Sequence, residues 1–145
     1  MNTTKWDERF IGLAKVVGSW SKDPSTQVGA VIVDQKKRII SIGFNGFPTG
    51  IEDSNELLLD REQKYEIIVH AEANALMFAN RSVEGCTIYT YPFQPCSKCA
   101  GLIIQAGLTR VVSIGQNTTR WKKNFSTAAK LFAEAGVHLT LLEME

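Results

Sequence analysis

Apolar residues recur at helical spacing early in the chain. Phe10, Leu13, Ala14 and Val17 return to one face between Trp6 and Trp20, which predicts a helix there. The period then changes. Gln27 to Asp34 carries a nearly continuous apolar run through Val28, Ala30, Val31, Ile32 and Val33, the pattern of a buried strand. Lys36-Lys37 makes a polar turn and Arg38 to Phe44 a second strand, so the two form a hairpin. Asn45 to Gly50 reads as a loop by composition. Residues 51 to 64 are polar and acidic, with a leucine run at 57–59 and no periodicity that assigns them.

From His70 the pattern alternates. Helices are predicted over His70–Asn80, Cys96–Ala106 and Ser126–Ala135, and strands over Cys86–Tyr91, Arg110–Ile114 and His138–Leu142. Gly107 and Gly136 stand where a left-handed helix cap is usual. A hairpin followed by alternating helix and strand implies an α/β protein. The expected architecture is a three-layer α/β/α sandwich with a central mixed sheet of about five strands. No repeat, low-complexity tract or linker interrupts the sequence, so a single domain over residues 1–145 is expected.

A chain of 145 residues can bury a substantial core without disulfides. Its formal net charge of +1 provides no strong field for a polyanion, which disfavours extended nucleic acid as a partner. The first residues mix both signs of charge and lack a signal-type apolar run. No stretch approaches the roughly 18 apolar residues of a membrane span. Three cysteines, two of them in a C-x-x-C, read as thiolates in a reducing cytoplasm.

The chemistry concentrates in His70-Ala71-Glu72 and Pro95-Cys96-Ser97-Lys98-Cys99. One imidazole and two thiolates make three ligands, which leave the fourth tetrahedral position of a zinc ion open. At the first turn of a helix, residues three apart such as Cys96 and Cys99 project to one side. Pro95 suits a helix start, and the positive end of the helix favours the thiolate. Glu72 points elsewhere from the same turn as His70, beside a metal rather than on it. Taken singly, these signals are weak: a histidine can cap a helix, and a C-x-x-C can be a redox pair or half of a structural zinc site. The combination is stronger. A fourth protein ligand would have to come from His138 or Cys86, both of which read as core-strand residues. A redox pair leaves His70 and Glu72 without a role, and a non-catalytic zinc module has no use for Glu72.

The pattern H-x-E followed by P-C-x-x-C resembles the zinc-dependent cytidine and deoxycytidylate deaminase superfamily, most closely its deoxycytidylate branch. Lys22 to Ala30 is similar to that branch's approach to the first strand. Ile42-Gly43-Phe44-Asn45-Gly46-Phe47-Pro48-Thr49-Gly50 is similar to its glycine-rich loop, and Leu102 to Gly107 to the stretch after its C-x-x-C. The similarity runs from about Asp7 to Val137.

The resemblance implies one catalytic zinc ion per chain on His70, Cys96 and Cys99, with its water acting as hydroxide near neutral pH. It implies hydrolysis of dCMP to dUMP and ammonia: attack on C4, with Glu72 moving the proton to N3 and helping ammonia leave. Among substrate contacts it implies the Ala71 N–H for the pyrimidine O2, the Gln94 carbonyl for the amino group, Asn45 for a sugar hydroxyl, and Ser25. Cytidine, cytosine, guanine and the wobble adenosine of tRNA stay open as other substrates. Homo-oligomers, dimeric or hexameric, and dCTP and dTTP effectors are implied as well. Tyr89 to Cys96 spans seven positions, one more than is common in the family. The stretch between Gly50 and His70 has no cysteine or histidine, so the second, structural zinc of some members is not expected. Arg120-Trp121-Lys122-Lys123 has two readings: a solvated helix start with Trp121 on the core, or a substrate wall whose cation holds a 5′-phosphate. Arg110 and Lys98 are further cation candidates.

Overall fold

A capping box starts the first helix, α1 (Lys5–Gly18). The Thr4 hydroxyl accepts from the Asp7 N–H at 3.2 Å, and the Asp7 carboxylate accepts from the Thr4 N–H at 3.1 Å. The computed structural model describes residues 4–115 and 121–143. After α1 come β1 (Gly29–Val33) and β2 (Ile39–Phe44), joined by a turn in which Asp34 Oδ1 accepts from the N–H groups of Lys36 and Arg38. Two short helices, α2 (Asn55–Leu59) and α3 (Arg61–Ile67), occupy the segment whose sequence shows no periodicity. Then follow α4 (Ala71–Phe78), β3 (Thr87–Tyr91), α5 (Ser97–Ala106), β4 (Arg110–Ile114), α6 (Lys122–Ala135) and β5 (His138–Leu142).

The strands form one sheet in the order β2-β1-β3-β4-β5. The β1 pairings are antiparallel and the β3–β4 and β4–β5 pairings parallel, as expected when a hairpin precedes two helical crossovers. Strand alternation then splits the core in two. Val31, Val33, Tyr89, Val112 and Ile114 face Phe10, Ile11, Ala14 and Val17 of α1. Ala30, Ile32, Ile88 and Val111 face the other way, onto Ala75 of α4, Ile103 of α5 and Phe132 of α6. Phe132 and Ile103 are fully buried, each worth roughly 1.5–3 kcal/mol of hydrophobic stabilisation. The result is the expected three-layer α/β/α sandwich around a five-stranded mixed sheet. Among the described residues no helix is long and apolar enough to cross a membrane.

Three sequence expectations need correction. Helix α6 begins at Lys122, not Ser126, because its first turn packs on α5 through polar contacts that carry no apolar period. His138 is exposed on the edge strand β5, whereas Cys86 is buried as expected. Arg110 is not available for phosphate: its two terminal nitrogens donate to both Asp7 oxygens at 2.8 Å, on the α1 side of the sheet. Tyr89 donates to the same carboxylate at 2.7 Å. Burial opposes ionisation of Asp7, but the bonds from Arg110 and Tyr89 outweigh it and hold the carboxyl below the usual range.

Candidate active site

Two helix starts meet at one end of the sheet. His70 is the N-cap of α4 and Cys96 the N-cap of α5, yet neither side chain caps its own helix. Ser, Thr, Asp or Asn normally fills such positions. Here both side chains turn toward each other and toward Cys99, one turn into α5. Asn124 of α6 provides what Cys96 does not: its Oδ1 accepts from the Ser97 N–H at 2.8 Å, and its Nδ2 donates to Ser97 Oγ at 3.2 Å. That bond also fixes the first turn of α6 against the site.

The spacing of α4 depends on Gly43 of β2. A Cβ placed there would lie 2.5 Å from both the Ala71 carbonyl oxygen and the Ala75 nitrogen, so only glycine lets the helix sit this close. Asn74 adds a donor to the Phe44 carbonyl at 2.8 Å. Gly46 and Val69 exchange backbone hydrogen bonds at 3.1 and 2.7 Å, tying the glycine-rich loop to the residue before His70.

The donor atoms of His70, Cys96 and Cys99 lie within 4.8 Å of one another. His70 Nδ1 is 3.3 Å from Cys99 Sγ and 3.5 Å from Cys96 Sγ. Around a tetrahedral zinc ion with ordinary Zn–N and Zn–S bonds, nitrogen and sulfur ligands stand about 3.6 Å apart. The three residues therefore fit zinc in both chemistry and spacing, and form a candidate metal site. A hydrogen bond from Cys99, supported by His70, draws the Cys96 thiol well below its usual pKa, while the same pairing drives the Cys99 thiol up. The pairing thus favours loss of one proton from the two thiols, and thiolate is the form that binds metal.

Glu72 is 5% exposed beside this cluster, and burial pushes its carboxyl up to about 7. A pocket opens in front of it. His70, Ala71, Glu72 and Cys96 line its floor, and Asn45 and Gln94 its sides. Asn45 is held from two directions, accepting from the Val28 N–H and donating to the Thr26 carbonyl, each at 2.9 Å. Gln94 donates through Nε2 to the Phe125 carbonyl at 3.0 Å, leaving its own backbone as the part to consider for a ligand.

Trp121 lines the pocket, which agrees with the wall reading of the basic cluster, while Arg120 lies outside the described residues. Ser25 is exposed, between the lining residues Asp23 and Thr26 in sequence. Its hydroxyl donates to Asp23 at 2.9 Å and accepts from Lys64 at 2.7 Å.

Apart from Trp121, sequence reading missed the aromatic part of the wall. Phe93 and Phe125 pack with ring centroids 5.5 Å apart, and Tyr65 meets Trp121 edge-on at 6.3 Å. These rings come from a turn, from the start of α6 and from the last turn of α3, where no periodicity marks them. The available signal was the bracketing of Cys96 by aromatic residues on both sides, Tyr91 and Phe93 before it and Trp121 and Phe125 after it.

Comparison with known proteins agrees with this geometry. Residues 4–114 match the profile of the cytidine and deoxycytidylate deaminase zinc-binding region. An uncharacterised deaminase in the luxG 3′ region of Aliivibrio fischeri is 46% identical, the match covering 98% of this chain and 97% of that one. Human deoxycytidylate deaminase is 41% identical, over 92% of this chain and 77% of the relative. The fold is that of the dCMP deaminase of cyanophage S-TIM5, solved in complex with dCMP and dUMP. The TM-score is 0.77 at 22% identity, with 98% of this chain and 100% of that one covered. Zinc-ligand cluster, buried carboxylate, sandwich fold and sequence agree: the chain belongs to the cytidine and deoxycytidylate deaminase family of zinc-dependent hydrolases.

Proposed function

We propose that the protein hydrolyses dCMP to dUMP and ammonia. The observation that carries this is a buried carboxylate, Glu72, set beside three zinc-type donors and lining the same pocket as His70 and Cys96. The 41% identity to human deoxycytidylate deaminase supports dCMP as the substrate.

His70, Cys96 and Cys99 would hold a zinc ion, which would supply the Lewis acidity needed to activate water near neutral pH. Glu72 receives the proton of the attacking water, delivers it to N3 of the pyrimidine, and assists departure of ammonia from C4. The Ala71 N–H belongs to the first turn of α4, where backbone donors lack intrahelical partners, and it binds the pyrimidine O2. The Gln94 carbonyl accepts from the amino group, and Asn45 holds a sugar hydroxyl from its fixed position. Trp121 forms part of the wall, and Arg120, next to it in sequence, meets the 5′-phosphate.

We further infer one deaminase domain over residues 1–145 that works in the cytoplasm as a homo-oligomer, with dCTP and dTTP as effectors. The family relationship supports assembly and effector control. The three cysteines, all free, support a reducing compartment.

The test is ammonia release from dCMP, CMP, deoxycytidine, cytosine, guanine and adenosine with zinc-loaded protein. Turnover of dCMP at least tenfold above the rest is expected. Activity confined to unphosphorylated compounds would overturn the nucleotide assignment.

A further inference from the structure

Burial in the 51–70 segment is inverted. Among its described residues Lys64 alone is buried, although the segment contains Ile51, Leu57, Leu58, Leu59, Ile67 and Ile68. Leu59 is 74% exposed, while the Lys64 side chain is 3% exposed. Lysine is almost never fully buried unless it is paired, because its charge loses water. Here Lys64 Nζ donates to Asp23 Oδ1 at 3.0 Å and to Ser25 Oγ at 2.7 Å. Asp23 Oδ1 also accepts from the N–H groups of Ser25 and Thr26 and from the Ser25 hydroxyl. Asp23 Oδ2 faces the Asn45 amide at 3.5 Å. The ammonium thus ends in a polar network whose far side is the pocket wall, where Asp23, Thr26 and Asn45 are all lining residues.

Helix α3 and the residue that follows it carry two further lining residues, Tyr65 and Ile68, and Tyr65 packs on Trp121. An apolar anchor would hold α3 down but would let it slide. A lysine committed to one carboxylate oxygen and one hydroxyl fixes its position along the Asp23–Val28 wall.

Building on the deaminase reading above, we propose that Lys64 is a positioning residue of the substrate pocket. Through Asp23 it clamps the α3 wall, with Tyr65 and Ile68, against the wall that carries Thr26 and Asn45, and so sets affinity for the nucleotide. Lys64 lies outside the lining residues and does not act at the reacting atoms, so the effect falls on KM rather than on kcat.

The test is a double-mutant cycle of Lys64→Met and Asp23→Asn on zinc-loaded protein, with amide hydrogen exchange measured across residues 61–68. Lys64→Met keeps the apolar stem and removes the charge. KM is expected to rise about tenfold with kcat within threefold. If Lys64 acts through Asp23, the double variant rises about tenfold as well, not a hundredfold. Exchange across 61–68 is expected to speed up at least tenfold in Lys64→Met while β1 and α5 stay protected. Additive KM effects, an unchanged KM, or unchanged exchange would each overturn the clamp. The double variant leaves no unpaired buried charge, so it keeps the test open if Lys64→Met folds poorly. The exchange measurement needs no substrate: a wild-type protein inactive on dCMP would refute the substrate assignment and leave the clamp to be decided by exchange.

Discussion

Gly43→Ala tests whether one missing methyl group sets the position of the metal site. The new Cβ would meet the Ala71 oxygen and the Ala75 nitrogen at 2.5 Å, and ordinary contact begins near 3.4 Å. Helix α4 must then retreat by about 0.9 Å, taking the His70–Glu72 turn with it. A displacement of about 1 Å at a catalytic group costs on the order of 10²-fold in rate, or about 2.7 kcal/mol of barrier. The overpacking itself costs roughly 1–3 kcal/mol of stability, a fall in Tm of about 3–10 °C. The assay compares kcat/KM, zinc per chain and Tm with those of Gly12→Ala. At Gly12, on α1, a Cβ meets nothing within 4 Å. That control gains about 0.5–1 kcal/mol from helix propensity and keeps full turnover. Gly43→Ala protein with one zinc per chain and kcat/KM within threefold of wild type would refute the reasoning.

Three further outcomes are expected. Glu72→Gln keeps zinc, measured by metal analysis, but lowers kcat by roughly 10²–10⁴-fold, because the amide keeps the shape and cannot carry the proton. Chelation abolishes turnover and added zinc restores it, whereas Cys99→Ala does not regain one zinc per chain at the same concentrations. Asp7→Asn leaves Arg110, whose side chain is 14% exposed, without its charge partner and costs about 3 kcal/mol in urea unfolding, with kcat of the folded enzyme within twofold of wild type. Because the Asp7 carboxyl sits below its unfolded range, its stabilisation is complete above about pH 4 and disappears as pH falls through the folded value. The deficit of Asp7→Asn should therefore shrink in acid.

Most of the sandwich was legible because its helices and strands bury apolar residues at regular periods: Phe10, Ala14 and Val17 on α1, and Val31 and Val33 on β1. The zinc-type ligands were legible because their chemistry is tied to sequence spacing at two helix starts. Helices α2 and α3 were not, since their anchor is Lys64, whose partner stands 41 residues away on another element. The first turn of α6 was hidden for a similar reason, being held by Asn124 on Ser97 and not by an apolar stripe. Arg110 misled as a phosphate candidate because nothing local shows that Asp7 reaches it from the opposite layer.

The seven-position span from Tyr89 to Cys96 leaves the sheet undisturbed. Strand β3 keeps an unbroken register with β1 from Thr87 to Tyr91, and the chain turns only afterwards, at residues 92–95. That turn carries Phe93 and Gln94 into the pocket, while Thr90 holds its base by bonding to the Phe93 carbonyl and to Ser113. Pocket and metal site therefore share one support: the turn that forms a face of the cavity is braced on β3 and β4 and runs directly into Cys96.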